Sequence, residues 1–190
     1  MRRLLPLCLL LIIIAGLSCA TQPRTVQQYS KNGISFSHYS DWKITEDKAL
    51  QDEPDTRSIH LEGPDDALVM FICMPPVNSV TAADFAASLD ENRQGMKHNY
   101  SAGPIKPVDI TPAKSEPTVG RVGGQATEGV IHRFSIKILG QAVPHESRIY
   151  MVKSARYQVF VVTQVADEDL SRATPAFNLT LNSLLVADNK

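Results

Sequence analysis

Five histidines, His38, His60, His98, His132 and His145, are the side chains of this 190-residue chain best suited to hold a metal or pass a proton. Either task needs partners at a fixed spacing, and no two of them stand at one that ligates a metal. His132 and His145 come to one sheet surface if the turn at Gly140-Gln141 is two residues long, yet isolated strand histidines are ordinarily hydrogen-bonded core or rim residues. There is no Gly-x-Ser-x-Gly elbow, no His-Glu-x-x-His, no Gly-x-x-x-x-Gly-Lys-Ser/Thr and no Cys-x-x-Cys. Gly120-Arg121-Val122-Gly123-Gly124 lacks the strand-to-helix setting of a dinucleotide site and reads as a hairpin turn. Glu146, near Arg133 and Lys137, reads as part of a cross-strand charge ladder. The acidic stretch from Glu46 to Thr56 has no Asp-x-Asp-x-Asp-Gly spacing and reads as a solvated loop, not a calcium site. The expectation is therefore no catalytic residue, no metal site and no cofactor.

Cysteine chemistry is more informative. Arg2 and Arg3 precede an apolar run from Leu4 to Leu17, the pattern of a secretory signal, and about fourteen apolar residues are too few for the ~20 of a membrane-spanning helix. The segment Ala15-Gly16-Leu17-Ser18-Cys19 resembles the lipobox of bacterial lipoproteins. That resemblance implies cleavage after Ser18 and lipid on Cys19, and with Ala20 instead of Asp in the next place it implies the outer membrane, facing the periplasm. Residues 19–28 then form a polar tether, reaching at most roughly 30 Å at ~3.3 Å per residue. Cys8 leaves with the leader, so Cys73 is the only free thiol of the mature chain, and the apolar run Ala67–Met74 around it marks an inert small hydrophobe.

Charge narrows the partners. The chain carries 19 basic and 20 acidic residues, and losing Arg2 and Arg3 leaves 17 basic, so the mature chain is mildly acidic. Nucleic acid, which is held through cationic surfaces, is not an expected partner.

The elements that would position these residues alternate between strand and helix. Gly33–His38 and Trp42–Thr45 alternate apolar and polar, as do Arg57–Glu62 and Ala67–Met74 across Gly63-Pro64-Asp65-Asp66. Thr81 and Asp84 have capping-box spacing ahead of a helix to about Lys97, with Ala82, Phe85, Ala86, Leu89 and Met96 as its apolar stripe. Four prolines between Tyr100 and Gly124 allow at most an edge strand around Ile105–Ile110. Val130, His132, Phe134, Ile136 and Ile138 lie on one strand face, and Val143–Val152 returns beside them. Tyr157–Val165 is apolar on both faces and needs cover on both sides of the sheet. A last helix, capped by Thr174 with Pro175 in its first position, carries Phe177, Leu181 and Leu184 on one stripe. The fold class is α+β: a mixed, mostly antiparallel β-sheet sandwiched by helices, in one domain over residues 29–190.

Gly33-Ile34-Ser35-Phe36-Ser37 leading to Ser40-Asp41-Trp42, the central helix, the meander of long strands and the final Leu181-Asn182-Ser183-Leu184 together resemble the PsbP/DcrB-like α/β/α sandwich over residues 29–186. The resemblance implies a non-catalytic exported or lipid-anchored module that serves assembly or accessory roles. The function expected is thus a lipid-anchored envelope protein, bound to the membrane through Cys19 and to an unidentified envelope protein partner. The alternative is a small-ligand carrier or cryptic hydrolase with a site beside residues 100–124.

Overall fold

A computed structural model describes residues 24–51, 53–77, 79–99, 109–138 and 140–187, with backbone only at 96–99 and 138. Cys8, Cys19 and most of the 100–124 segment's first half lie outside the described residues.

Asn32 and Gly33, both at positive φ, close a two-residue turn between β1 (Val26–Lys31) and β2 (Ile34–Tyr39). Strand pairing thus begins at Val26, inside the stretch read as tether. β3 (Lys43–Ala49), β4 (Arg57–Glu62) and β5 (Leu68–Met74) follow as a meander. Here the expected acidic loop is shorter than the sequence suggested, because Glu46-Asp47-Lys48-Ala49 pairs with β4. Helix α1 (Ala82–Asn99) opens on the expected capping box: Thr81 N donates to Asp84 Oδ2, and Asp84 N donates to Thr81 Oγ1.

The proline-rich segment holds more strand than expected. β6 (Asp109–Ile110) is short, but β7 (Lys114–Val122) is a nine-residue strand that pairs with β8 (Gln125–Ile138) around Gly123-Gly124. Pro117 is tolerated because β7 pairs on one side alone, where a missing N–H costs no ladder bond. β9 (Gln141–Lys153) and β10 (Gln158–Ala166) complete the meander. Helix α2 spans Leu170–Asn182, one turn earlier than expected, so Thr174 and Pro175 lie inside it; Thr174 Oγ1 bonds the Leu170 carbonyl instead of capping. β11 (Leu185–Val186) then joins β2.

The larger sheet runs β3-β4-β5-β10-β9-β8-β6, with β7 also on β8, and the smaller runs β1-β2-β11. Every pairing among the described residues is antiparallel, where a mixed sheet was expected. β10 sits at the centre and is covered on both sides as its sequence demands. Val159, Val161 and Val165 face α2 and the small sheet; Phe160 and Val162 face α1. The α2 side is dry and aromatic: Phe36 stacks on Phe71 with centroids 4.5 Å apart, and Trp42 meets Phe177 edge-on at 5.6 Å. Trp42 also lies flat over Gly63, where a Cβ would stand 2.3 Å from its ring. Ser37 N donates to Ser183 Oγ and Thr180 Oγ1 donates to the Ser37 carbonyl, so polar bonds fix α2 on β2. No helix among the described residues is long and apolar enough to cross a membrane.

Candidate functional site

At the end of the sheets where β1, β3 and β5 finish and β4 begins, the alternation of strand residues carries Tyr29, Asp47 and Arg57 into the seam between the two sheets. Asp47 Oδ1 accepts from Arg57 Nε at 2.7 Å, and its Oδ2 accepts from Lys31 Nζ at 2.6 Å and from Tyr29 OH at 3.0 Å. Arg57 also donates to the Lys31 carbonyl at 3.1 Å and to the Tyr29 hydroxyl. The Arg57 guanidinium, with Lys31 and Tyr29, holds the Asp47 carboxyl well below its ordinary 3.8. Burial, reinforced by Asp47, pushes the Tyr29 phenol up to about 12, so it stays a neutral donor. Asp47 and Arg57 floor a cavity of about 530 Å³, whose walls include Ile34, Pro54, Pro75 and Tyr157, with Lys31 and Arg156 at the rim. Cys73 touches the cavity but is 1 % exposed, and burial pushes its thiol up to about 12, in keeping with an inert small hydrophobe.

The cluster was not legible in the sequence, where Asp47 stood in a supposed loop. Its members are 10 to 28 positions apart, and only the pairing of β3 with β4 and the packing of β1 across them bring the side chains together.

A second polar site lies under α1. Arg93 follows Leu89 by four positions and Ala86 by seven, so it falls on the apolar stripe and is driven against the sheet, 8 % exposed. Its guanidinium reaches Gln164 Oε1 at 3.2 Å, Ser147 Oγ and His132 Nδ1 at 3.4 Å each, and lies 4.3 Å over the Phe134 ring. No carboxylate forms an ion pair with it among the described residues. Burial lowers the Arg93 pKa, and burial, then the Arg93 charge, lowers that of His132. A cation at a stripe position was the signal that could have found this site.

The histidines do not assemble. Ile138 pairs with Gln141, so Gln141 belongs to the strand and not to the Gly140-Gln141 turn considered from the sequence, and Phe134 pairs with His145 while His132 pairs with Ser147. His132 and His145 thus share a sheet face, but His145 stacks on Phe134 at 5.6 Å and His132 meets Arg93. His38 is buried, and His98 is outside the described side chains. No group of three or more His, Cys, Asp or Glu among the described residues could hold a metal ion. Ser58, His60 and Glu46 come near one another, but Ser58 Oγ at 3.0 Å and Glu46 Oε1 at 3.6 Å both approach Nε2 of His60. A relay needs the base held through one ring nitrogen and acting through the other, so this is not a triad. Glu146 lies between Arg133 and Arg148, at 3.1 and 2.8 Å, as a charge ladder; Lys137 pairs instead with Asp109.

No protein-family model matches the sequence, and no curated protein matches it. Among solved structures, the chain is similar to cyanobacterial PsbP (CyanoP) from Synechocystis sp. PCC 6803, with a TM-score of 0.51 and 11 % identity over 91 % of this chain and 99 % of that one. The chain has the PsbP-like fold. The antiparallel sheet, central helix and closing helix expected from the PsbP/DcrB-like resemblance are those of this fold. LpqN of Mycobacterium tuberculosis, described as involved in cell envelope biogenesis, superposes with a TM-score of 0.43 and 11 % identity over 86 % of this chain and 91 % of that chain.

Proposed function

We propose that the chain is a non-catalytic accessory module of the bacterial cell envelope, held by lipid on Cys19 at the outer membrane, facing the periplasm, and engaging an envelope protein partner. The observation that carries this reading is the position of β1. It starts at Val26, seven residues after Cys19, so a lipid on that cysteine would keep the domain within about 25 Å of the bilayer. Diacylglyceryl and amide-linked chains bury methylenes at about 0.8 kcal/mol each, enough for lasting attachment without a spanning helix. The paired Nε2 contacts of His60 and the absence of nucleophile motifs support a binding role over catalysis. Metabolic palmitate labelling tests the anchor: the wild-type chain takes up label and Cys19→Ala does not. Label in Cys19→Ala, or none in wild type, overturns it. Crosslinking of the tagged chain in cells tests the partner, with a reproducible envelope protein expected and none counting against it.

A second reading, a small-ligand carrier, is favoured by the cavity of about 530 Å³ floored by Asp47 and Arg57. The alternative site was expected beside residues 100–124; this cavity lies at the Lys31 end of the domain, and none of the described residues of that segment, 109–124, lines it.

A further inference from the structure

We infer that the cavity bounded by Lys31, Arg57, Arg156 and Tyr157 is a binding site for an amphiphilic organic anion, a carboxylate or phosphate group carried on an apolar body. The inference deepens the carrier reading and does not depend on the lipid anchor.

The charge balance is the first argument. Four cations line the cavity, Lys31, Lys48, Arg57 and Arg156, against the carboxylates of Asp47 and Asp55. Lys48 is committed to Glu46 at 2.8 Å and Asp47 accepts from three donors, while exposed Asp55 forms no ion pair among the described residues, so Lys31, Arg57 and Arg156 exceed the two carboxylates by one charge. Donors remain after those bonds are made. Arg57 directs one N–H each from Nε, Nη1 and Nη2 to Asp47, the Lys31 carbonyl and Tyr29, which leaves one hydrogen on each Nη for a further acceptor. Among the described residues Lys31 Nζ donates to Asp47 alone, leaving two hydrogens. Arg156 lies 5.1 Å over the Tyr157 ring and forms no ion pair among the described residues. Three cationic heads thus border one hollow with donors to spare, two of them arginines suited to carboxylate or phosphate.

The shape is the second argument. Arg57 is held at the floor with 15 % of its side chain exposed, already oriented by three bonds, so an anion there meets a fixed fork. Ile34, Pro54, Pro75 and the Tyr157 ring give the walls an apolar character that a bare inorganic ion would not use. A ligand with both parts satisfies floor and walls together.

The experiment uses the full chain in detergent, titrated calorimetrically with benzoate, acetate and inorganic phosphate at constant ionic strength set by chloride. Saturable benzoate binding is expected, about tenfold or more tighter than acetate because the ring adds buried apolar area. The double variant Lys31→Ala, Arg156→Ala removes two side chains exposed at the rim; it should keep the wild-type circular dichroism spectrum and lose benzoate binding by at least about tenfold. Vesicles with and without phosphatidylglycerol separate the sources, read as the difference between the two because lipid on Cys19 attaches to both alike: a phosphatidylglycerol-dependent gain that the double variant loses identifies a lipid headgroup as the anion, and free benzoate or phosphate binding without that gain identifies a soluble one. No saturable binding of any probe above the chloride control, or equal affinity in the folded double variant, overturns the site. Neither result touches the palmitate test of the anchor.

Discussion

The two faces of the larger sheet are covered in different ways. On the α2 side, Phe36, Phe71, Trp42 and Phe177 pack with Ile59, Leu61, Val69 and Val161 in one continuous apolar core, closed by the small sheet. On the α1 side the apolar contact is a small patch around Ala86, Ile149 and Val162, with Phe85 stacked on Phe160 at 4.1 Å, and the same helix then presses an arginine onto neutral partners. The first face has the packing that specifies a single structure. The second spends part of its area on a charge that packing alone would not select, because burying an unpaired cation is costly. Stability and polar chemistry are therefore divided between faces, with the cavity cluster at the end of the first.

The sharpest break of this comparison is Phe71→Ala. Phe71 is fully buried and stacked on Phe36, so the loss should be about 3–5 kcal/mol, read as a drop in the urea midpoint. Phe85→Ala, on the half-buried face of α1, should cost clearly less; equal losses would mean that the two faces are not different in kind. Next comes Gly129→Ala. The Tyr150 ring crosses Gly129 and Gly120, and a Cβ at 129 would stand 2.4 Å from the Ile149 carbonyl oxygen and 2.6 Å from the ring, so a loss of about 1–3 kcal/mol is expected in thermal unfolding. Asp47→Asn should cost about 1–2 kcal/mol at neutral pH by leaving Arg57 and Lys31 without their carboxylate. Since folding depresses the Asp47 pKa, its contribution is complete above about pH 4 and is lost as pH falls through the lower folded value. Acid titrations of wild type and variant should therefore converge at low pH, and parallel curves would remove the carboxylate from the account. The smallest effect is Arg93→Met, which should leave stability within about 1 kcal/mol of wild type or raise it, because a buried charge without an ion pair among the described residues is exchanged for an apolar chain of similar length. A loss of several kcal/mol would make Arg93 a structural pin and erase the contrast between the faces.

What could be read in the sequence was what local physics decides. The start of α1 follows from Thr81 and Asp84, three residues apart and bonded to each other. Two-sided burial of β10 follows from its unbroken apolar run. Local signals also misled. Thr174-Pro175 imitates a helix start, yet the helix begins at Leu170, where Leu170 packs on the core and Arg172 reaches Asp65 and Asp169. Pro117 reads as a breaker, but an edge strand spares it. The cavity was illegible for a deeper reason: Tyr29, Asp47 and Arg57 each look ordinary in place, and the site exists only in the pairing of distant strands.

The register of β1 has a mechanical consequence. Val26 pairs with Tyr39 and Lys31 with Ile34, so a force applied through the amino terminus loads the hairpin at its open end and peels β1 from β2 one pair at a time. Tyr29 and Lys31, two of the groups that hold Asp47 and Arg57, ride on the last residues to detach. Such a force would leave the cavity whole until most of the strand has been unzipped, and would then strip Asp47 and Arg57 of their supports together.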